Sequence, residues 1–396
     1  MHPRLRPAPR SSDRDESRAD WMELFFDLVF VALVGQLAEP LRSEPSFEAI
    51  LIFLALFASV WWSWVNLTYT VNVQVELTRR ALAGYMFAAM AAVGAIAVAA
   101  PEAIGERAWL FALGNAGLRA VMLVLWARRS WATSTASRVR LLSYNGLTAI
   151  LWLVSTFVPA PFGYALWAAA ILCEIVLLIA SAPGMLRRVQ TINVEHLTDR
   201  FGTLVIITMG ESVLAIVVAL SSHLTLLSAI VAFLALVVVA GLAWSMFLFG
   251  VDALRAGLAR LAARGDSGGI VQTFAFLPYF LVTGVMLLAG AVAIAIREPQ
   301  SPLPAAAAMS LGGGVVLFYA ANAVISARYG IRAAFVLSWA VPAVLLPLAV
   351  ILVAFLCPAA WAMAAAALVS VTVALLAEVL ARREHPKARA TDSLPD

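Results

Sequence analysis

Ionisable side chains interrupt otherwise apolar runs at Asp27, Arg119, Glu174 and Glu211, with Glu23 one helical turn before Asp27. A charge at bilayer depth costs at least about 2.5–3.5 kcal/mol on insertion scales, so such groups face a protein interior or a wet cavity. Arg119, Glu174 and Glu211 fall near mid-membrane and Asp27 nearer one interface. Arg119 cannot shed its proton, so it needs carboxylate partners, and Glu174 and Glu211 are the candidates at similar height. One arginine against two glutamates leaves an odd charge, to be met by a proton, a permeant cation or a partner elsewhere. Two chemistries fit this set: a structural ion pair that fixes helix packing, or a relay of protons or ions. Glu23 and Asp27 share one helix face, where neighbouring carboxylates repel and require a cation, a shared proton or an arginine such as Arg18 or Arg200. Glu23 also suits an interfacial helix N-terminus, where its charge complements the dipole.

Other polar groups cluster beside aromatic ones. Trp61, Trp62, Trp64, Asn66, Tyr69, Asn72 and Gln74 follow each other along one segment. The tryptophans alone match an interfacial belt, whereas the amides suggest that this helix end lines something polar. His196, next to Glu195, has a side chain that titrates near neutrality or binds metal, but without a second ligand at usable spacing it reads as an interfacial residue. Ser212 joins the polar lining as the neighbour of Glu211. No metalloprotease helix, nucleophile elbow or phosphate loop occurs, so neither a catalytic set, a resident metal nor a cofactor is expected. Cys173 and Cys357 lie in or at the end of apolar segments and indicate no disulfide framework. Gly312, Gly313 and Gly314 fall inside a segment, where small residues serve close helix packing.

The elements that must hold these groups follow from hydropathy. The chain is 63% hydrophobic and 13% charged, outside the usual range of a domain with a water-facing surface; its mean hydropathy is +0.93. Stretches long enough to span a bilayer are expected over about 21–40, 46–71, 81–100, 106–127, 139–158, 162–182, 199–220, 225–251, 270–296, 303–326, 333–356 and 359–381. The fold class is therefore all-α: a polytopic membrane protein of about twelve helices. Of the 27 Lys and Arg, 23 fall in or at the edge of alternate connections and termini (Arg140 and Arg200 within the first two residues of a segment), three (Arg42, Arg107, Arg297) in the opposite ones, and Arg119 deep within a segment. This is the positive-inside pattern with both termini cytoplasmic, and one span more or fewer would scramble it. Basic loops facing anionic lipid account for the net charge of +4, so membrane lipids, not nucleic acid, are the expected partners. No cleaved signal peptide is read at the start. Segments one and seven superimpose on a shift of 176 residues, aligning Glu23 with Asp199 and Phe25 with Phe201. The expected organisation is a disordered cytoplasmic tail over 1–20, six-helix halves over 21–190 and 191–382 in parallel orientation, and a tail over 383–396. A homo-oligomer is compatible with this plan.

Two runs, WMELFFDLVFVALVGQL over Trp21–Leu37 and HLTDRFGTLVIITMGESVLAI over His196–Ile216, resemble the two signature regions of the bacterial low-temperature-requirement A (LtrA) family. Glu23, Phe25, Phe26 and Asp27 match the first signature; His196, Arg200, Phe201, Gly202, Gly210, Glu211 and Ser212 match the second. Asp199 replaces the usual Glu, and Asn72 and Gln74 stand where many members carry acidic residues. The resemblance implies a bacterial inner-membrane protein and brings no assigned chemistry, since the family name reflects a growth phenotype in the cold. The run Glu23-x-Phe25-x-Asp27-x-Val29-Phe30 is also similar to the pore-helix signature of two-repeat, twelve-span potassium channels, with Phe26 at their serine position and no such motif in the second half. The leading expectation is a transporter or channel for a small ion or solute whose buried carboxylates line a pathway. The alternatives are a membrane scaffold or cold-adaptation factor with structural ion pairs, and a membrane-embedded enzyme acting on lipid.

Overall fold

The computed structural model describes residues 11–73, 78–133, 135, 139, 142–185 and 193–384. The expected tails at 1–10 and 385–396, Gln74, and several loop arginines, among them Arg138, Arg140, Arg187 and Arg188, lie outside the described residues. No strand occurs among those described. The helices are α1 (Ser11–Leu37), α2 (Glu39–Ser43), α3 (Phe47–Val73), α4 (Arg79–Ala99), α5 (Ala108–Thr133), α6 (Leu147–Ser155) and α7 (Phe162–Met185). They continue with α8 (Val194–Ser222), α9 (Leu226–Ser245), α10 (Val251–Ala263), α11 (Ser267–Arg297), α12 (Ala305–Arg328), α13 (Ala333–Leu356) and α14 (Ala359–Glu384). Nine helices among the described residues are long and apolar enough to cross a membrane, and two shorter apolar helices cover Leu142–Ser155 and Phe162–Leu177. α1 is not one of the nine. Its helical backbone starts ahead of Trp21, and α8 starts ahead of residue 199, so that Glu195, His196 and Asp199 are helical. The expected segment 225–251 runs on to Ala263 through a π-turn at Met246–Gly250.

Local chemistry sets the helix ends. Asn193, Thr225 and Asp266 cap α8, α9 and α11, each side chain accepting the amide three residues on, at 3.1, 3.1 and 2.8 Å. Gly265 and Gly330, at φ 67° and 73°, close α10 and α12 in the left-handed conformation that glycine adopts without penalty.

The chain divides into two compact units, one of residues 1–33 and 74–170, the other of 34–73 and 171–396. In the first, α4 packs on α5 and α5 on α6. In the second, α11 is the hub, touching α2, α3, α8, α9, α10, α12 and α14. Of its most apolar stretch 89% lies inside the protein, against 28% for α13. A helix apolar on every side is stable in that position, because it offers no face to water or to headgroups. α11 and α12 meet backbone to backbone: a Cβ on Gly284 would stand 2.5 Å from the Gly314 carbonyl, and a Cβ on Gly314 2.5 Å from that of Gly284. Gly312 sits against Pro347 and Ile351 of α13, so two of the three consecutive glycines serve close packing as expected. Gly290 does the same for α2, whose Leu41 Cβ would be 2.9 Å from a Cβ there.

Candidate functional site

On α1 the alternation of burial separates two faces. Trp21, Leu24, Phe25 and Leu28 are exposed, as a lipid-facing surface requires, while Glu23, Phe26, Asp27 and Phe30 are buried. Asp27 is only 1% exposed, so both carboxylates project inward from an apolar helix. In the same unit Arg119, 2% exposed, donates to Asn115 Oδ1 of its own helix at 2.9 Å and lies 5.1 Å from the centre of the Trp152 ring. Trp152 belongs to a cluster with Phe111 and Trp167, and the Trp167 indole donates to Ser155 at 2.9 Å. A guanidinium is more weakly hydrated than an ammonium and stacks on aromatic faces, so this surrounding suits a buried arginine.

Glu174, 3% exposed on α7, and the remaining sequence-predicted residues belong to the second unit. There Glu211, past the middle of α8, accepts a hydrogen bond of 2.8 Å from Arg42 Nη2. Arg42 was expected only as a loop residue, yet its side chain is 13% exposed and that of Glu211 14%. Three features position the pair. α2 carries Arg42 and rests on α11 at Gly290; Arg297 Nη1 donates to the Arg42 carbonyl at 3.0 Å; and Gly35 of α1 clears the space that the Glu211 carboxylate fills. A Cβ on Gly35 would stand 2.5 Å from Glu211 Oε1. Glu39 lies at the looser distance of 3.8 Å from Arg42 Nη1. The Arg42 Nε is buried and meets no acceptor among the described residues. A signal for Arg42 existed in the sequence: it is one of three arginines on the side that should be poor in them. Ser212, buried beside Glu211, turns back to its own helix, 3.5 Å from the Thr208 carbonyl.

The aromatic segment forms a continuous stack in this unit. Phe53, Phe57, Trp61 and Trp64 follow one another along α3, and Trp64 stacks on Phe274 of α11 at 5.8 Å. Phe274 also receives Tyr69 at 5.5 Å and Phe201 at 6.3 Å, and the Arg200 guanidinium lies 5.9 Å from the Trp64 ring. Pro278 in α11 has no amide hydrogen for the carbonyl of Phe274 and crowds that turn; the adjacent carbonyl, Ala275, accepts 2.7 Å from the Trp61 indole. At the end of α3, Asn72 exchanges two hydrogen bonds with the backbone of Asn193, at 3.0 and 3.1 Å, and its amide nitrogen lies 3.0 Å from His196 Nδ1. This amide clamps the start of α8 in the way a neighbouring peptide would. The Asn66 carbonyl takes the Thr70 hydroxyl at 2.7 Å within α3, and the Tyr69 hydroxyl lies 3.5 Å from the Ile270 carbonyl. The structure thus brings together Glu211 with Arg42, and Asn72 with His196. Among the described residues no group of three or more His, Cys, Asp or Glu has the arrangement of a metal site.

Comparison with known proteins gives the same picture. The pattern of the bacterial low temperature requirement A protein (LtrA) matches residues 18–375. An uncharacterized protein of Rhizobium meliloti (strain 1021) is 29% identical over 225 residues, which is 52% of this chain and 52% of the relative. The chain therefore spans about half the length of the curated relative that it matches. No solved structure matches it significantly. With the match covering both signature runs and nearly the whole chain, this all-helical membrane protein belongs to the bacterial LtrA family.

Proposed function

We propose that the protein is a transporter or channel for a small ion or solute in the bacterial cytoplasmic membrane, working through buried carboxylates, Glu211 foremost. The arginine asymmetry supports twelve crossings, two six-helix halves and both termini in the cytoplasm. The observation that carries the functional reading is the Arg42–Glu211 pair: a largely enclosed ion pair whose two side chains each retain some accessible surface, held over a glycine that leaves the carboxylate room. Replacing such a pair with apolar residues is often neutral or stabilising, so stability alone does not account for it. A scaffold role is the second reading, favoured by Arg119, whose Asn115 and Trp152 contacts are of the packing kind. Asp27→Asn and Glu211→Gln remove charge while nearly preserving shape. Transport predicts lost flux in liposomes, over a panel of monovalent ions with an imposed pH gradient, at normal membrane abundance of both variants. The scaffold reading predicts the reverse order: falling abundance and thermal stability, with function lost only in proportion. Full activity of both variants at normal abundance ends the transport proposal.

A further inference from the structure

α10 has two unlike faces. Leu254, Leu258 and Leu261, spaced four and three residues apart, are buried where the helix packs on α8, α11 and α12, while Arg255, Arg260 and Arg264 are exposed. Just before it, Trp244 at the end of α9 and Phe247 and Leu248 in the π-turn are exposed apolar side chains, as lipid contact requires. Seven residues of helix, about 10 Å, separate Leu248 from Arg255, so α10 leaves the hydrocarbon at the level of the headgroups. It does so on the side that the arginine asymmetry assigns to the cytoplasm. Arg260 Nη1 donates to the Tyr329 carbonyl at 3.2 Å, and the Tyr329 ring lies against Gly257. The basic face of α10 therefore stands at the turn between α12 and α13, where Arg328 and Arg332 are exposed as well.

Some of this charge is already met. Arg255 pairs with Asp199 at 3.1 Å, Arg328 Nε donates to Thr273 at 3.0 Å, and Asp266 turns its Oδ1 to the Gly269 amide. Arg264 and Arg332 make no ion pair among the described residues. At the helix ends that meet here, Arg200 and the five arginines named above stand against four acids, Glu195, Asp199, Asp252 and Asp266, which leaves positive charge in excess. Arg260 and Arg264 lie four residues apart on one helix face and repel each other, a cost that an anion between them removes. A phosphodiester offers two free oxygens to the planar fork of a guanidinium. Trp244, Phe247 and Leu248 lie directly before this basic face in the chain, where the acyl chains of such a headgroup would run. We infer that Arg260 and Arg264, with Arg332 from the α12–α13 turn, hold the phosphodiester headgroup of an anionic phospholipid. The site stands apart from the Arg42–Glu211 pair and does not depend on the transport reading.

The test uses the full-length protein with phosphatidylglycerol as probe and phosphatidylcholine as the neutral reference, binding being read by mass spectrometry of the intact protein with its retained lipid and by thermal shift. One arginine near an anionic lipid contributes about fivefold in affinity. Arg260→Gln combined with Arg264→Gln should therefore raise the apparent Kd for phosphatidylglycerol about 25-fold. Because Arg260 also holds the Tyr329 carbonyl, Arg264→Gln and Arg332→Gln are measured singly; neither breaks an ion pair among the described residues, and each should cost about fivefold. Arg79→Gln combined with Arg80→Gln removes the same charge from the other unit and should leave the Kd unchanged. An equal loss in that control shows diffuse attraction to the bilayer and overturns the inference. So does wild-type affinity in both Arg264→Gln and Arg332→Gln, or a wild type that retains phosphatidylglycerol no better than phosphatidylcholine, the result expected if this face serves a soluble acidic partner. Displacement of the lipid by inorganic phosphate at equal concentration marks a free-anion site and overturns the lipid assignment.

Discussion

Gly35→Ala probes the Arg42–Glu211 pair without touching either charge. The new Cβ would stand 2.5 Å from Glu211 Oε1 and 2.8 Å from Cδ, where ordinary contact begins at 3.4 Å, so the carboxylate must retreat by about 0.9 Å. Added to the present 2.8 Å, that retreat carries the Arg42 contact beyond hydrogen-bonding range. A hydrogen bond between charged groups contributes about 1.5–3 kcal/mol, and the residual exposure of both side chains reduces this to about 1–2 kcal/mol. Against it stands the helix preference of alanine over glycine, up to about 1 kcal/mol. Gly210→Ala separates the two effects: it lies beside Glu211, a Cβ there meets nothing within 4 Å, and only the preference applies. Thermal denaturation in detergent should therefore place Gly35→Ala about 1–2 kcal/mol below Gly210→Ala, a gap that closes in a Glu211→Ala background. Equal stability of the two single variants, or a Gly35→Ala cost that survives removal of Glu211, refutes the reasoning.

Trp61→Phe removes the indole donor from the Ala275 carbonyl beside Pro278 and should destabilise by about 0.5–1.5 kcal/mol in the same assay. Trp62→Phe removes a buried indole N–H that meets no acceptor among the described residues and should be neutral or stabilising; an inverted ranking of the two variants counts against the assignment of Trp61 as the support of that turn. Tyr329, whose ring lies against Gly257, has a buried hydroxyl without a partner among the described residues, so Tyr329→Phe should leave stability at neutral pH unchanged or higher by up to about 1 kcal/mol. Burial pushes the Tyr329 phenol up, opposed by the nearby Arg328 charge. A folded value above the unfolded one, about 10, contributes stability that is full below it and lost as the pH rises through the folded value. The advantage of the Phe variant should therefore widen above about pH 10, and a stability difference independent of pH in chemical denaturation would refute this account.

Helix positions were legible because apolar length is a local property: α3, α12 and α13 begin and end within a few residues of expectation. α9 and α10 were harder. Leu254, Leu258 and Leu261 continue one buried face past Gly250 among arginines, so the polar composition suggested a loop where the backbone passes through a π-turn and stays helical. Inward orientation of Asp27, Glu23 and Glu174 followed from the cost of charge in lipid, and their burial agrees with that cost. The pairings of Arg42 with Glu211 and of Asn72 with Asn193 were not legible. Arg42 and Glu211 are 169 residues apart, and Asn72 and Asn193 121, so only the way α2, α3 and α8 pack on α11 brings them together. The bonds by which Asn72 stands in for a peptide partner at the start of α8 had no local signal in the sequence.

The crossing of α11 and α12 at Gly284 and Gly314 has a mechanical consequence. Where most helix pairs meet through side chains that can change rotamer and let one helix slide past the other, here two carbonyls and two bare Cα atoms are in direct contact. Sliding by even one residue would drive a side chain into the opposing backbone, so the two helices transmit load as a single strut. Deformation in this unit is then left to places where the helical ladder is already broken, among them Pro278 in α11, Pro342 and Pro347 in α13 and the π-turn at Met246–Gly250.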